Sequence, residues 1–278
     1  MLKIKSYQED SYSFYKAVVS SKRNNKKSPS LKDQLEAIAN TQIGCFKTYD
    51  QNFQVNSLIN IDSHAYSEIN KENLKTLYNY RNKRIQKLKN SLTIHPLHKN
   101  NILNTCQNCT INEVDTMDHV LGQTEFPEFS IHPKNLFPCC SVCNKKKSDK
   151  YVDGEGNQLF LNLYLDDLPQ SQYLHVKFGE NWLPCFFLEQ NDDISDELFS
   201  KIKNHYTSLD LLNRYRDNSN EIITTLRSTI RTFNSDDIKQ KIDELCLDLE
   251  ATLGHNHRKI VLYRALGSSE GFITDCMR

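Results

Sequence analysis

Apolar positions recur with a helical period through the first hundred residues, and segments near 8–22, 31–43 and 69–91 are expected to be helices. Ser30 is placed to cap the second, ahead of Leu31-Lys32-Asp33-Gln34-Leu35, with Asp33 at the favourable end of the helix dipole. In the third, Leu74, Leu77, Tyr78, Ile85 and Leu88 form one packing stripe while Lys and Arg side chains face outward. The polar stretch from Ser20 to Ser28 and the His95-Pro96 step read as connections, because a residue before proline avoids the helical region.

From about 101 to 152 large apolar residues are few, and hydrophobic burial alone is not expected to hold this segment together. Beyond it, residues 159–164, 173–178 and 184–188 read as strands of a small antiparallel sheet, punctuated by Gly154, Gly156, Pro169 and Gly179. Helical spacing returns from about 195 in Leu198/Ile202/Tyr206, Ile222/Ile223/Leu226/Ile230/Phe233 and Ile238/Ile242/Leu245/Leu249/Leu253, the last closed by Gly254. The pattern predicts an α+β chain, mostly helical, in three regions: N-terminal helices over 1–100, a cysteine-bearing core over 101–152, and strands followed by a helical bundle over 153–278.

Composition narrows the class. With 38% hydrophobic and 25% charged residues, and no apolar run near the roughly 18 residues of a membrane span, the chain is expected to be a soluble protein with no membrane partner. The start, Met1-Leu2-Lys3-Ile4-Lys5-Ser6, lacks the apolar centre of a signal peptide, so a cytoplasmic location is expected. In that reducing setting nine cysteines point to metal ligands and buried thiols more than to disulfides. The formal charge balances at 35 basic and 35 acidic residues, but its distribution does not. Between Lys71 and Lys99 eight basic residues, Arg81 and Arg84 among them, face only Glu72, and Lys145, Lys146, Lys147 and Lys150 form a second cluster. The compensating acids sit in Asp166-Asp167, Glu189 to Glu197 and Asp236 to Glu250. Such patches suit a phosphate backbone, although a lysine-rich helix face is as often simply solvated.

The chemistry concentrates in the middle. Cys106-Gln107-Asn108-Cys109 and Cys140-Ser141-Val142-Cys143 each place two thiolates on a tight turn, the bite tetrahedral zinc accepts, and zinc ligation would supply folding free energy that a small segment lacks. Cys139 offers a second register, but Cys140 gives the spacer that matches the first pair; Cys45, Cys185, Cys246 and Cys276 read as small core residues. Between and after the pairs, Asp118 and Asn144 carry oxygens suited to a hard divalent cation, and His119 is a base with an ordinary pKa near neutrality. Neighbours on a strand point to opposite sides, so Asp118 and His119 can serve one site only where their strand ends or bends. His132, His95, His98, His255 and His257 read as structural histidines.

The stretch Cys106-x-x-Cys109, Met117-Asp118-His119-Val120, Phe126-Pro127-Glu128-Phe129, Pro133-Lys134-Asn135-Leu136 and Cys140-x-x-Cys143-Asn144-Lys145-Lys146-Lys147 resembles the HNH (ββα-metal) endonucleases, most of all the zinc-bearing branch that includes phage endonuclease VII. It covers about a sixth of the chain. The resemblance implies a treble-clef-like ββα core with structural Zn2+ on Cys106, Cys109, Cys140 and Cys143. It implies His119 as general base, Asp118 and Asn144 as holders of catalytic Mg2+ or Mn2+, and Asn135 as the residue orienting the loop behind His119. Lys145, Lys146 and Lys147, with Arg81 and Arg84, would then contact nucleic acid, expected to be DNA. Leu121-Gly122-Gln123 departs from the family, where a proline often follows the Asp-His pair. More loosely, the helical flanks resemble bacterial HNH effectors of anti-phage systems such as Septu and some retrons, which implies an ATPase or other defence-system protein as partner. A non-catalytic zinc module that binds nucleic acid or protein is the alternative expectation, and the same cysteines and lysines would serve it.

Overall fold

The computed structural model describes residues 1–23, 28–98, 100–233 and 237–278. Lys99 of the basic run, Asp236 of the acidic stretch and part of the Ser20 to Ser28 connection lie outside the described residues. The chain is α+β, with helices predominating and two small antiparallel sheets among the described residues. No helix among them is long and apolar enough to cross a membrane. It divides into two compact units, one of Lys3–Cys106 with Asn112–Asp166, the other of Met1–Leu2, Gln107–Ile111 and Asp167–Arg278.

Among its described residues the first unit opens with five α-helices, α1 (Ser11–Ser21), α2 (Leu31–Ala37), α3 (Ala39–Gln54), α4 (Glu68–Lys75) and α5 (Lys83–Leu92). Ser30 caps α2 as expected and does so reciprocally: its Oγ accepts from Asp33 N, and Asp33 Oδ2 accepts from Ser30 N. The helix expected over 31–43 instead breaks at Ile38 and continues to Gln54, because Phe46, Tyr49 and Phe53 extend the buried stripe. The single helix expected over 69–91 is two. Between them Asn79 Oδ1 accepts from Arg81 N and Asn82 Oδ1 from Arg84 N, the local bonding by which asparagine ends one helix and caps the next.

After α5 the chain reaches β1 (Thr116–His119), which pairs antiparallel with β2 (Leu136–Cys139) in the register Asp118 opposite Phe137 and His119 opposite Leu136. The helix α6 (Ser141–Lys147) follows at once, with Cys140 as its N-cap. This segment buries more apolar surface than its composition suggested. Phe126, Phe129, Leu136 and Phe137 are all buried, and the Phe129 ring meets Tyr49 of α3 at 4.9 Å. The apolar wall comes from the N-terminal helices, outside the segment itself. Residues 159–164, expected as a strand, form a turn. Asn162 Oδ1 accepts from Tyr164 N, and Asp166 Oδ2 accepts from Asn162 N, so side chains take the backbone groups a ladder would need.

In the second unit β3 (Leu174–Phe178) and β4 (Pro184–Leu188) form the expected antiparallel pair. Six α-helices follow among the described residues: α7 (Asp196–Ser208), α8 (Leu211–Asp217), α9 (Asn220–Ile230), α10 (Ile238–Leu253), α11 (Arg258–Gly267) and α12 (Glu270–Met277). Ile222, Ile223, Leu226 and Ile230 of α9 are buried together, as are Ile238, Ile242 and Cys246 of α10. Gly254 ends α10 at a φ of 84°, where a Cβ would come within 2.9 Å of Met1 O. Cys246 and Cys276 are buried as expected; Cys185 is exposed on β4, not a core residue.

Candidate functional site

The two Cys-x-x-Cys turns converge. The Sγ atoms of Cys106, Cys109, Cys140 and Cys143 lie within 4.8 Å of one another, and all four residues are buried. A tetrahedral zinc with Zn–S bonds of about 2.3 Å sets its sulfurs about 3.8 Å apart, so this donor set suits a structural zinc ion with small adjustments. Backbone and side-chain amides already face the sulfurs: Cys143 N lies 3.4 Å and Asn112 Nδ2 3.7 Å from Cys140 Sγ, where they stabilise a thiolate. Cys139 is buried on β2 and is no member of the cluster, because its strand position turns it away from the turn that carries Cys140.

The second constellation lies at the end of β1. Asp118 and His119 are the last two residues of the strand, paired opposite Phe137 and Leu136, and both are buried. His119 Nε2 stands 2.9 Å from Ser130 O. A carbonyl only accepts, so Nε2 carries the proton and Nδ1 keeps a lone pair, for which no described residue supplies a partner. Burial lowers the imidazole pKa from 6.5 to about 4, not near neutrality as the residue type suggests, so the ring is an uncharged base across the neutral range. The Tyr78 ring packs edge-on against it at 4.7 Å and donates its hydroxyl to Met117 O.

Asn135 is fully buried and clamps the connection between β1 and β2. Its Oδ1 accepts from Leu121 N at 2.8 Å and Tyr49 Oη at 3.1 Å, while Nδ2 donates to Leu121 O at 3.1 Å and Phe129 O at 3.0 Å. One side chain thus closes both ends of the loop that presents Ser130 O to His119. Gly122 explains the departure at Leu121-Gly122-Gln123: a Cβ there would meet Asp149 O at 2.8 Å, so the loop lies directly on the chain leaving α6.

Asp118 Oδ1 accepts from His119 N at 2.8 Å and faces Lys147 Nζ at 3.5 Å. Burial nonetheless outweighs Lys147 and raises the Asp118 carboxyl from 3.8 to about 6. Asn144 is half-buried on α6, three residues before Lys147, and its side-chain amide makes no hydrogen bond among the described residues.

Lys145, Lys146, Arg81 and Arg84 are exposed, as a phosphate contact requires. Lys147 is not: it is 5% exposed, donates to His119 O at 2.6 Å and sits over the Phe160 ring at 5.7 Å, so it belongs to the interior of the site. Its place in a run of three lysines hid that difference, since α6 turns every third or fourth residue inward. Arg84 lines a groove of about 230 Å³ with Lys87, Tyr7 and Phe14, and Arg81 follows Tyr78 by three residues. His132 has the structural role expected but a deeper place, wholly buried with its ring 4.4 Å from Phe46 and 4.1 Å from Tyr49. The residues that support the site, Ser130, Tyr78 and Tyr49, carry no mark in the sequence, because each acts through a contact made only on folding.

No family model matches the chain, and no solved structure does. Protein ea31 of Escherichia phage lambda is similar to it, 27% identical over 180 residues that make up 58% of this chain and 60% of the phage protein. The chain therefore spans only part, about three fifths, of the length of that curated relative.

Proposed function

We propose that the chain is a divalent-metal-dependent endonuclease of the HNH type, acting on nucleic acid, with DNA as the expected substrate. The observation that carries this reading is the state of His119. Its proton is fixed on Nε2 by Ser130 O, which leaves Nδ1 as an unprotonated base at a strand end, on the residue that follows a buried carboxylate in the chain. A hairpin followed directly by a helix, with Asn135 clamping the hairpin loop and Asn144 on the helix, is the arrangement the HNH resemblance requires.

The chemistry of Asp118 and Asn144, a carboxylate and a neutral amide oxygen, is that of ligands for a hard cation. Asp118 already accommodates an ammonium beside Oδ1, and Asn144 adds a neutral oxygen with no competing partner among the described residues. A divalent ion held there would supply Lewis-acid stabilisation of the charge that develops on the leaving oxygen. In the reaction His119 Nδ1 takes a proton from the attacking water while Ser130 O keeps the ring oriented and stabilises the imidazolium that forms. Asn135 touches no reacting atom and is a positioning residue. Lys145, Lys146, Arg81 and Arg84 would hold the phosphate backbone without reading bases. The anti-phage role, with an ATPase or other defence protein as partner, follows from the resemblance of the helical flanks and belongs to the same proposal.

Purified protein incubated with plasmid DNA and Mn2+ or Mg2+ tests the reading. Cutting that EDTA stops, and that is lost in His119→Ala at unchanged fold, is the expected result. Binding of DNA without cutting, equal in wild type and His119→Ala, would establish the non-catalytic zinc module instead.

A further inference from the structure

Lys147 has no place in the reaction as described, yet it is the most deeply buried cation at the centre. Its ammonium stands 3.5 Å from Asp118 Oδ1, donates to His119 O at 2.6 Å and rests over the Phe160 ring. An unpaired buried carboxylate is costly, and a neighbouring cation offsets that cost. Asp118 Oδ1 is therefore occupied on both sides, by Lys147 and by His119 N.

Resting on the nuclease reading, we propose that Lys147 is a built-in counter-cation that a divalent ion must displace from Asp118, and that it sets the metal affinity of the site. The two positive charges cannot share one carboxylate oxygen at hydrogen-bond distance without strong repulsion, so entry of the ion requires the ammonium to withdraw. Its bond to His119 O is independent of Asp118 and keeps the strand end in place during the exchange. The centre is in this way preformed before metal arrives, at the expense of weaker binding.

Zinc-loaded protein titrated with Mn2+ by calorimetry, with parallel thermal melts, reads this without any activity measurement. Lys147→Gln retains a donor for His119 O and removes the charge; Lys147→Met removes both; Lys147→Arg keeps the charge. Gln and Met variants are expected to bind Mn2+ at least about tenfold more tightly than wild type, and Arg within about threefold of it, as removal of a like charge beside the ion demands. Without Mn2+ the Met variant should melt below wild type and gain more on Mn2+ addition. Equal or weaker Mn2+ binding by Lys147→Gln overturns the role of Lys147 while leaving the nuclease reading intact. Absence of Mn2+ binding in wild type and all three variants, or binding unchanged in Asp118→Asn, sinks the metal site and both proposals with it.

Discussion

Replacing Asn135 by alanine should release the loop behind His119, and its cost can be worked from the contacts. The side chain is fully buried and makes four hydrogen bonds, to Leu121 N, Leu121 O, Phe129 O and Tyr49 Oη. Tyr49 retains an alternative acceptor in Lys134 O at 3.3 Å and Phe129 O keeps the amide of His132 at 3.0 Å, so two backbone groups, Leu121 N and Leu121 O, are left without a partner. At about 1–2 kcal/mol for each buried group left unsatisfied, the loss is about 2–4 kcal/mol. That is a large fraction of the roughly 5–15 kcal/mol by which a domain is stable. With a urea slope of about 2 kcal/mol/M the unfolding midpoint should fall by about 1–2 M. Hydrogen exchange adds a local readout: the Leu121 amide should lose protection in Asn135→Ala while amides in α10 keep theirs. Asn135→Asp is the informative companion, since it preserves the acceptor for Leu121 N but turns both donor contacts into facing oxygens. A loss below about 1 kcal/mol in Asn135→Ala, with Leu121 exchange unchanged, would refute the view that this side chain holds the loop.

Three further outcomes are expected. Cys140→Ser should lower bound zinc, measured by metal analysis, and reduce the melting temperature of the chain, whereas Cys139→Ser should leave zinc content at the wild-type level. Stability should decline as pH falls from about 6.5 to 4. His119 and His205 have folded pKa values depressed by burial to about 4, so the unfolded chain takes up the proton first, and the stability present above 6.5 is lost toward 4. Each contributes at most about 3 kcal/mol; Asp118, raised to about 6, acts with opposite sign and offsets part of this. A denaturation midpoint that is flat from pH 6.5 to 4 would contradict the assignment of neutral buried histidines. Gly122→Ala should destabilise by about 1–3 kcal/mol, because its Cβ would lie 2.8–2.9 Å from backbone atoms of Asp149 that have no rotamer to change; a urea midpoint equal to wild type would show the loop yields instead.

The amino-acid pattern by itself carried the local features, since these depend on neighbours along the chain. Ser30 and Asp33 announce a capping box because both partners lie within one turn, and β3 and β4 are legible as two short apolar runs joined by a tight connection. The cysteine spacing likewise named four ligands that do converge. Where backbone groups had a choice of partner, the pattern misled: the apolar run at 159–164 gave way to the side-chain bonds of Asn162 and Asp166, and the stripe at 69–91 was cut by Asn79 and Asn82. Only the tertiary structure decided the state of the Asp-His pair. Which nitrogen of His119 holds its proton is set by Ser130, eleven residues on, and the charge beside Asp118 by Lys147, twenty-nine residues on. Burial, hydrogen-bond partner and charge are properties of a surrounding volume, and residues distant in sequence fill that volume only after the chain has folded.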